Sequence, residues 1–221
     1  MGDSLQVQDL PGIAIEQVRS AASQCGVVPE IERYPTLRLF NNLKSNEIQG
    51  SMMFSYTEER TAFAVYPMRD GLPDHAQRLN TLSYAFFVNQ SSKLAWDGKK
   101  LLGLQGKVGV NTGWSVIKSL EEFNIPYEEA AASENNFAKL NAGRIDAYAT
   151  QNHVAEAYLK RNKQLKIRRL EPSIITKDYF LIFSKPFYAE HPKVAACIWK
   201  AIGDDRDEIL KKRIPVYLYA K

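Results

Sequence analysis

The sequence predicts an α/β fold built from two similar units, and two observations carry that prediction. Segments with apolar residues at helical spacing alternate with short apolar runs of strand character along most of the chain. The same alternation then restarts after Gln105, so the second part of the chain repeats the grammar of the first. Composition agrees: 221 residues, 45% hydrophobic and 24% charged, suffice for one large core or two small ones.

The first helix is expected over 12–25, where Ile15, Val18, Ala22 and Cys25 fall on one face and Gly26 supplies the stop. "VVPEIERY" reads as a strand and "TLRLFNNLKSN" as a helix with Leu37, Phe40 and Leu43 inward. "IQGSMMF" and "TAFAVYP" follow as short strands. A polar, turn-rich connection, "MRDGLPDHAQRLN", then leads into a strong strand, "TLSYAFFVNQ".

In the second part the strand "KVGV" runs into a small polar turn and a helix over 115–123. Strand "YEEAAA" and a helix over 133–141 come next, with Gly143 as the stop. Strand "IDAYAT", helix "NHVAEAYLKRN" and strand "LKIRRLE" continue the alternation. The last strand, "DYFLIFSK", precedes a helix opened by Pro192, with Val194, Cys197, Ile198 and Ala201 on one face. No fixed-period repeat or low-complexity tract is present.

Several function classes lose support at this stage. The net charge of +4 is too mild to argue for nucleic acid. The basic run "KRNKQLKIRR" reads as a helix C-terminus followed by a polar-faced strand. No stretch reaches the roughly 18 apolar residues of a membrane span. The start, "MGDSLQVQDLPG", has neither a basic n-region nor an apolar h-region. His75, His153 and His191 have no metal spacing with one another or with the cysteines and read as surface residues, so neither metal nor cofactor is expected. No nucleophile elbow, Walker loop or dinucleotide fingerprint occurs, and no catalytic residue is assigned. Cys25 and Cys197 read as free buried thiols, because each is in phase with the apolar face of its helix. Pairing them requires Cα atoms within about 7 Å.

Four separated stretches, "YTEERTAFAVYP", "LQGKVGVNTGWS", "ENNFAKLNAGRIDAY" and "DYFLIFSK", resemble the family 3 extracellular solute-binding proteins, in family order and over nearly the whole chain. The resemblance implies the type 2 periplasmic binding protein fold: two lobes, each an open sheet flanked by helices, joined by two hinge-crossing strands, with a ligand held between the lobes. The crossings would be "LSYAFFVN" and "YFLIFSK". Lobe one would be residues 1–86 with 184–221, and lobe two residues 87–183. It also implies a periplasmic location, with the signal peptide already removed.

Candidate site residues follow from matching positions. Thr112, Gly113, Trp114 and Ser115 lie where a strand hands over to a helix, and the family uses that turn to offer polar groups to the ligand. Read alone, the turn is a tight bend with Ser115 as helix cap. Arg60, after a short polar turn, matches the arginine that meets a ligand carboxylate, with Ser55 as an upstream polar contact. Read alone, Arg60 is a surface residue paired with Glu58 or Glu59.

Two departures from the family pattern stand out. After "GRIDA" the amino-acid-binding members place an aspartate against the ligand ammonium; here Thr150 and Gln151 stand there, and a buried ammonium without a carboxylate is costly. A carboxylic acid without an amine, a small neutral polar compound or an aromatic acid is therefore expected alongside amino-acid-like ligands. The family also opens with a central strand and ligand loop, where only "DSLQVQDL" precedes the first helix here.

The resulting expectation is a monomeric solute-binding protein that takes a small polar or carboxylate ligand to a membrane transporter or sensor. Two alternatives remain. One is a dehydratase-like enzyme of the same fold, with Glu58, Glu59 or Asp74 as acid or base. The other is an effector-binding domain like those of LysR-type regulators.

Overall fold

A computed structural model describes residues 10–219, with Leu218 and Tyr219 described by their backbone alone. In chain order, α1 (Ile13–Gln24) and α2 (Thr36–Lys44) precede β1 (Gly50–Ser55) and a 3-10 turn at Glu58–Ala62. Two-residue strands β2 (Ala64–Val65), β3 (Met68–Arg69) and β4 (Leu72–Pro73) and a 3-10 turn at His75–Gln77 lead to β5 (Asn80–Asn89). Next come β6 (Ala95–Trp96), β7 (Leu101–Leu102), β8 (Val108–Asn111), α3 (Val116–Glu122), β9 (Tyr127–Ala130), α4 (Ser133–Asn141) and β10 (Ala147–Gln151). The chain ends with α5 (Asn152–Arg161), β11 (Ile167–Arg169), β12 (Ile175–Ser184), α6 (Lys185–Glu190) and α7 (Pro192–Tyr219).

These elements form two units. The inserted unit is Leu82–Lys177; the split unit joins the described residues up to Thr81 with those from Asp178 onward. The chain therefore changes unit inside β5 and inside β12, ahead of positions 86 and 184 where the sequence reading put the boundaries. The apolar runs explain this. Tyr84–Val88 of β5 are buried in the inserted unit and Tyr179–Phe183 of β12 in the split unit, whereas polar Thr81, Thr176 and Lys177 flank the crossings.

In the split unit, α1 packs on α7. Val18, Ala21 and Ala22 meet Ala195, Ile198, Trp199 and Ile202 over Leu79, Leu181 and Phe183 of the strands. The Trp199 indole donates to the Leu181 carbonyl at 2.8 Å. Cys25 and Cys197 form a disulfide across this interface, with Cα atoms 6.0 Å apart, which corrects the expectation of free thiols. Helix phase reveals that a cysteine is buried, but not which helix lies opposite. Arg213 grips Glu16 through two hydrogen bonds, and Tyr217 joins them by donating to Glu16 at 2.8 Å.

A second cluster in this unit packs Leu43, Ala64, Tyr66, Phe180 and Ile182 with Leu39, Phe54 and Phe63. Leu37 is 60% exposed, so Leu39 takes its place and the inward stripe of α2 runs through Leu39, Phe40 and Leu43, with Phe40 against Phe54 and Phe63. β1 pairs antiparallel with β12, broken by a bulge between Ser51 and Phe54 at which Met53 takes φ +65°. "VVPEIERY" forms no strand. It alternates half-buried and exposed residues from Val27 to Arg33, but a strand needs a partner, and none of the described strands pairs with it. The segment "DSLQVQDL", which stands where the family has its first strand, lies, Leu10 apart, outside the described residues. Thr81 and Asp178, the last and first residues of this unit at the crossings, are joined by a 2.6 Å hydrogen bond, and His75 contacts the same carboxylate at 2.5 Å.

The inserted unit has a sheet in which β10, β8 and β9 run parallel, with β5 antiparallel to β10 and β11 antiparallel to β5. Phe137, Leu140, Ile145, Tyr148 and Ala155 pack on Ala85 and Phe87, and Phe137 stacks on Tyr158 at 4.1 Å. α4 approaches β8 closely: a Cβ on Gly109 would lie 2.5 Å from Ile145 and 2.7 Å from Asn136. The β6–β7 hairpin, absent from the sequence reading, lays Trp96 between Phe86 and Phe123 at 5.1 and 5.2 Å. At this unit's own ends, Ser83 and Thr176 share a 2.7 Å hydrogen bond.

Candidate functional site

Arg60 sits on the 3-10 turn that follows β1 in the split unit. Its Nη1 donates to the Ser55 carbonyl at 2.7 Å and to the Ser55 hydroxyl at 3.2 Å. The guanidinium lies 5.1 Å from the Phe54 ring centroid and 5.8 Å from that of Phe40, within cation–π range. The same Ser55 carbonyl accepts from the Tyr66 hydroxyl at 2.9 Å. Burial pushes Tyr66 up to about 12, so it stays a neutral donor. The bend out of β1 thus turns Arg60 back onto its own strand end. Ser55, which is buried, and Arg60, which is half-buried, form one cluster.

In the inserted unit, β8 ends at Asn111 and the chain bends through Gly113, whose φ of +73° suits glycine. Trp114 N–H returns to the Asn111 carbonyl at 3.1 Å, and Gly113 N–H donates to Glu129 at 3.3 Å. Ser115 makes no side-chain cap to α3, and its buried hydroxyl has no hydrogen-bond partner. That removes the capping role a lone reading of the turn suggests. The Ser115 carbonyl accepts from the Lys177 ammonium at 3.0 Å.

Trp114 meets the Tyr84 ring edge to face at 5.9 Å, and the Tyr84 hydroxyl accepts from the Gln151 amide at 3.2 Å. This brings Trp114 and Gln151 to one place through Tyr84, whose register partner on β10 is Gln151. Thr150 is fully buried and its hydroxyl has no partner. Leaving a buried hydroxyl unpaired costs about 1–3 kcal/mol. Behind the turn, Asn111 is fixed by Tyr148 and Asn136, which donate to its oxygen at 2.5 and 3.4 Å, and by its own donation to Ser133 at 3.3 Å.

Sequence reasoning missed Tyr84 and Lys177, which sit in crossing strands read only as structural, and the aromatic bracing of Arg60. Register between β5 and β10 finds Tyr84, but only once the strand pairing is known.

Other titratable candidates resolve into structure. Asp74 is buried, accepts from Ala76 N–H at 3.0 Å and pairs with Arg69 at 3.4 Å. Asp146 accepts from the Gln105 and Gly106 amides. In the basic run, Arg168 donates to the carbonyls of Ser92 and Leu94. His153 departs from its expected surface role: it is half-buried, and desolvation lowers it to about 4. Among the described residues no group of three or more His, Cys, Asp or Glu could hold a metal, and no helix is long and apolar enough to cross a membrane.

No family model matches the chain, and no curated protein matches it in sequence. Solved structures do match in shape. One is the substrate-binding protein of an amino acid ABC transporter, at 17% identity over 96% of this chain and 92% of that one, with TM-score 0.74. Another is the arginine-, lysine-, histidine-binding protein ArtJ from Geobacillus stearothermophilus, at 20% identity over 92% and 86%, TM-score 0.74. A third is a histidine kinase sensor domain with similarity to periplasmic binding proteins, at 16% identity over 98% and 90%, TM-score 0.77. The chain has the two-lobed α/β fold of these binding proteins.

Proposed function

We propose that the protein is a periplasmic solute-binding protein that captures a small carboxylate-bearing ligand, amino-acid-like or an organic acid, for a membrane transporter or sensor. The observation that carries the reading is Arg60. Its guanidinium is already fixed by Ser55 and by two aromatic faces, so less side-chain entropy is lost when it meets a carboxylate. Within the inserted unit Thr112, Gly113, Trp114, Ser115, Thr150 and Gln151 are the candidate ligand contacts, and the unpaired hydroxyls of Ser115 and Thr150 support that assignment. The Cys25–Cys197 disulfide fits an oxidising compartment outside the cytoplasm. In this reading the protein works as a monomer without a cofactor or nucleic acid.

The transporter role follows the substrate-binding protein of the amino acid ABC transporter, and the sensor role the histidine kinase sensor domain. A dehydratase-like enzyme has less support, because the Asp74 carboxylate is engaged by Arg69 and Ala76.

Thermal melting against amino acids, organic acids, amines and sugars tests the proposal. A ligand at 100 times its Kd stabilises the folded state by about 2.7 kcal/mol. An upward shift confined to carboxylate compounds is expected. No shift with any class, or turnover of a candidate acid, refutes the binding-protein reading.

A further inference from the structure

We propose that one end of the inserted unit docks on an anionic lipid surface through the exposed cations Lys93, Arg144, Arg161, Lys163 and Lys166; this rests on the reading that the protein works outside the cytoplasm beside a membrane partner.

Backbone ties gather these residues at one end of the sheet. β11 pairs with the last residues of β5, Ile167 opposite Asn89, and the Gln90 N–H donates to the Lys166 carbonyl at 2.7 Å. Arg168, itself half-buried, donates to the carbonyls of Ser92 and Leu94 at 2.9 and 3.3 Å, which carries the intervening Lys93 to β11. The turn after α5, closed by the Leu165 N–H on the Asn162 carbonyl at 3.0 Å, presents Arg161 and Lys163 alongside. The Asn89 side-chain amide donates to the Leu140 carbonyl at 2.8 Å, so the end of α4 and the following Arg144 join the group.

Nearby carboxylates do not balance this charge. Asp146 accepts from the Gln105 and Gly106 amides, and Glu171 pairs with Arg169. Among the described residues none of the five cations forms an ion pair, Glu156 of α5 included as a partner. The helix dipole accounts for Arg161 in the last turn of α5, but Lys93, Lys163 and Lys166 stand outside any helix, beyond its reach. Clustered like charges repel one another, and an external anionic surface relieves that repulsion.

The surroundings decide the kind of partner. Among the described residues the large apolar side chain exposed in the inserted unit is Leu102, on β7. One aliphatic side chain is too little for the apolar, aromatic-rich centre of a protein interface. A lipid surface needs only charge, felt within a Debye length. The Cys25–Cys197 disulfide fits a compartment where membrane headgroups are the abundant phosphate surface. Docking at this end also leaves the unit's candidate contacts clear: Gln151 lies opposite Tyr84, near the start of β5, and Asn89 is the last residue of that strand.

The test is co-sedimentation of the purified protein with vesicles of phosphatidylcholine alone and of phosphatidylcholine mixed with phosphatidylglycerol, at low and at about 0.15 M salt. Binding to the mixed vesicles alone, weakened by salt, is expected. Charge reversal by Lys163→Glu with Lys166→Glu should lower the partition constant at least about tenfold. Lys93→Glu with Arg144→Glu should do the same. Lys193→Glu with Lys211→Glu, an equal change of net charge at exposed positions of the split unit, should have little effect. Equal losses in all three double variants overturn the proposal, because net charge then explains the binding. Binding to neither vesicle overturns it too and leaves an acidic protein face as the occupant to test. The ligand-induced melting shift, read on the same variants, reports on the solute-binding reading separately and should persist in each.

Discussion

The split unit draws its elements from both ends of the chain, whereas the inserted unit is one uninterrupted stretch, and their fastenings differ accordingly. Where covalent continuity is missing, the split unit supplies ties: a disulfide from α1 to α7 and the Glu16–Arg213–Tyr217 cluster beside it. The inserted unit shows no disulfide and relies on an aromatic core around Phe137 and on the Asn111 network. The candidate residues of each unit differ as well. Arg60 has its bracing in place, while Ser115 and Thr150 keep buried hydroxyls unpaired. The split unit thus carries the disulfide, and the inserted unit carries the buried side-chain groups without a hydrogen-bond partner.

The largest test of this contrast is Cys197→Ser. Removing the disulfide should cost about 2–5 kcal/mol. The loss should fall on the split unit, followed by Trp199, before the inserted unit, followed by Trp96 and Trp114. Denaturant unfolding read separately from tryptophan variants checks this; coincident, equally shifted transitions mean that the units are not independently fastened.

Arg60→Ala comes next. Ligand affinity should fall at least about tenfold, since leaving a buried charge unpaired costs about 2–5 kcal/mol. Unchanged affinity by calorimetry removes Arg60 from the site and leaves its cluster purely structural.

Acid should separate the units in a fixed order. His153, in the inserted unit, is lowered from its ordinary 6.5 to about 4, so the unfolded chain takes up its proton first. Its contribution is complete above pH 6.5 and is lost as pH falls through the window down to about 4. Glu16, in the split unit, is lowered chiefly by its hydrogen bond from Arg213, so its contribution holds above 4.5 and is lost only below that. Melting temperatures from pH 7 to 3 should fall earlier for the inserted unit, and His153→Gln should flatten that early fall. An early fall that persists in the variant assigns it to another group.

The smallest effect is expected from Thr150→Val, which removes an unpaired hydroxyl at nearly constant volume. It should stabilise the ligand-free protein by about 1 kcal/mol and weaken ligand binding. Destabilisation would show that the hydroxyl is satisfied after all.

Local patterns made most of the fold legible. Strong apolar runs located β5 and β12, and glycine stops and helical spacing located α1 and α4. What stayed hidden depends on partners distant in sequence. "VVPEIERY" has strand composition but no described strand to pair with, and α2 turns Leu37 outward because the apolar surface opposite lies under Leu39 and Leu43. The cysteine pairing required knowing that α1 and α7 face each other. Among the candidate residues, Ser55 and Arg60 meet across only five positions. Lys177 and Ser115 meet across 62 positions, and nothing in either local sequence announces the meeting.

The side-by-side ends of the inserted unit bear on how such a chain can be remodelled. Thr81 and Asp178 are hydrogen-bonded to each other, and so are Ser83 and Thr176. Entry and exit of the intervening stretch therefore coincide within one unit and within the other. A stretch anchored in that manner can be exchanged for a different cassette, or excised and bridged by a tight turn, without rethreading what remains. Recombination at these two points would replace the inserted unit while leaving the hydrogen-bonded and disulfide-tied residues of the split unit in place.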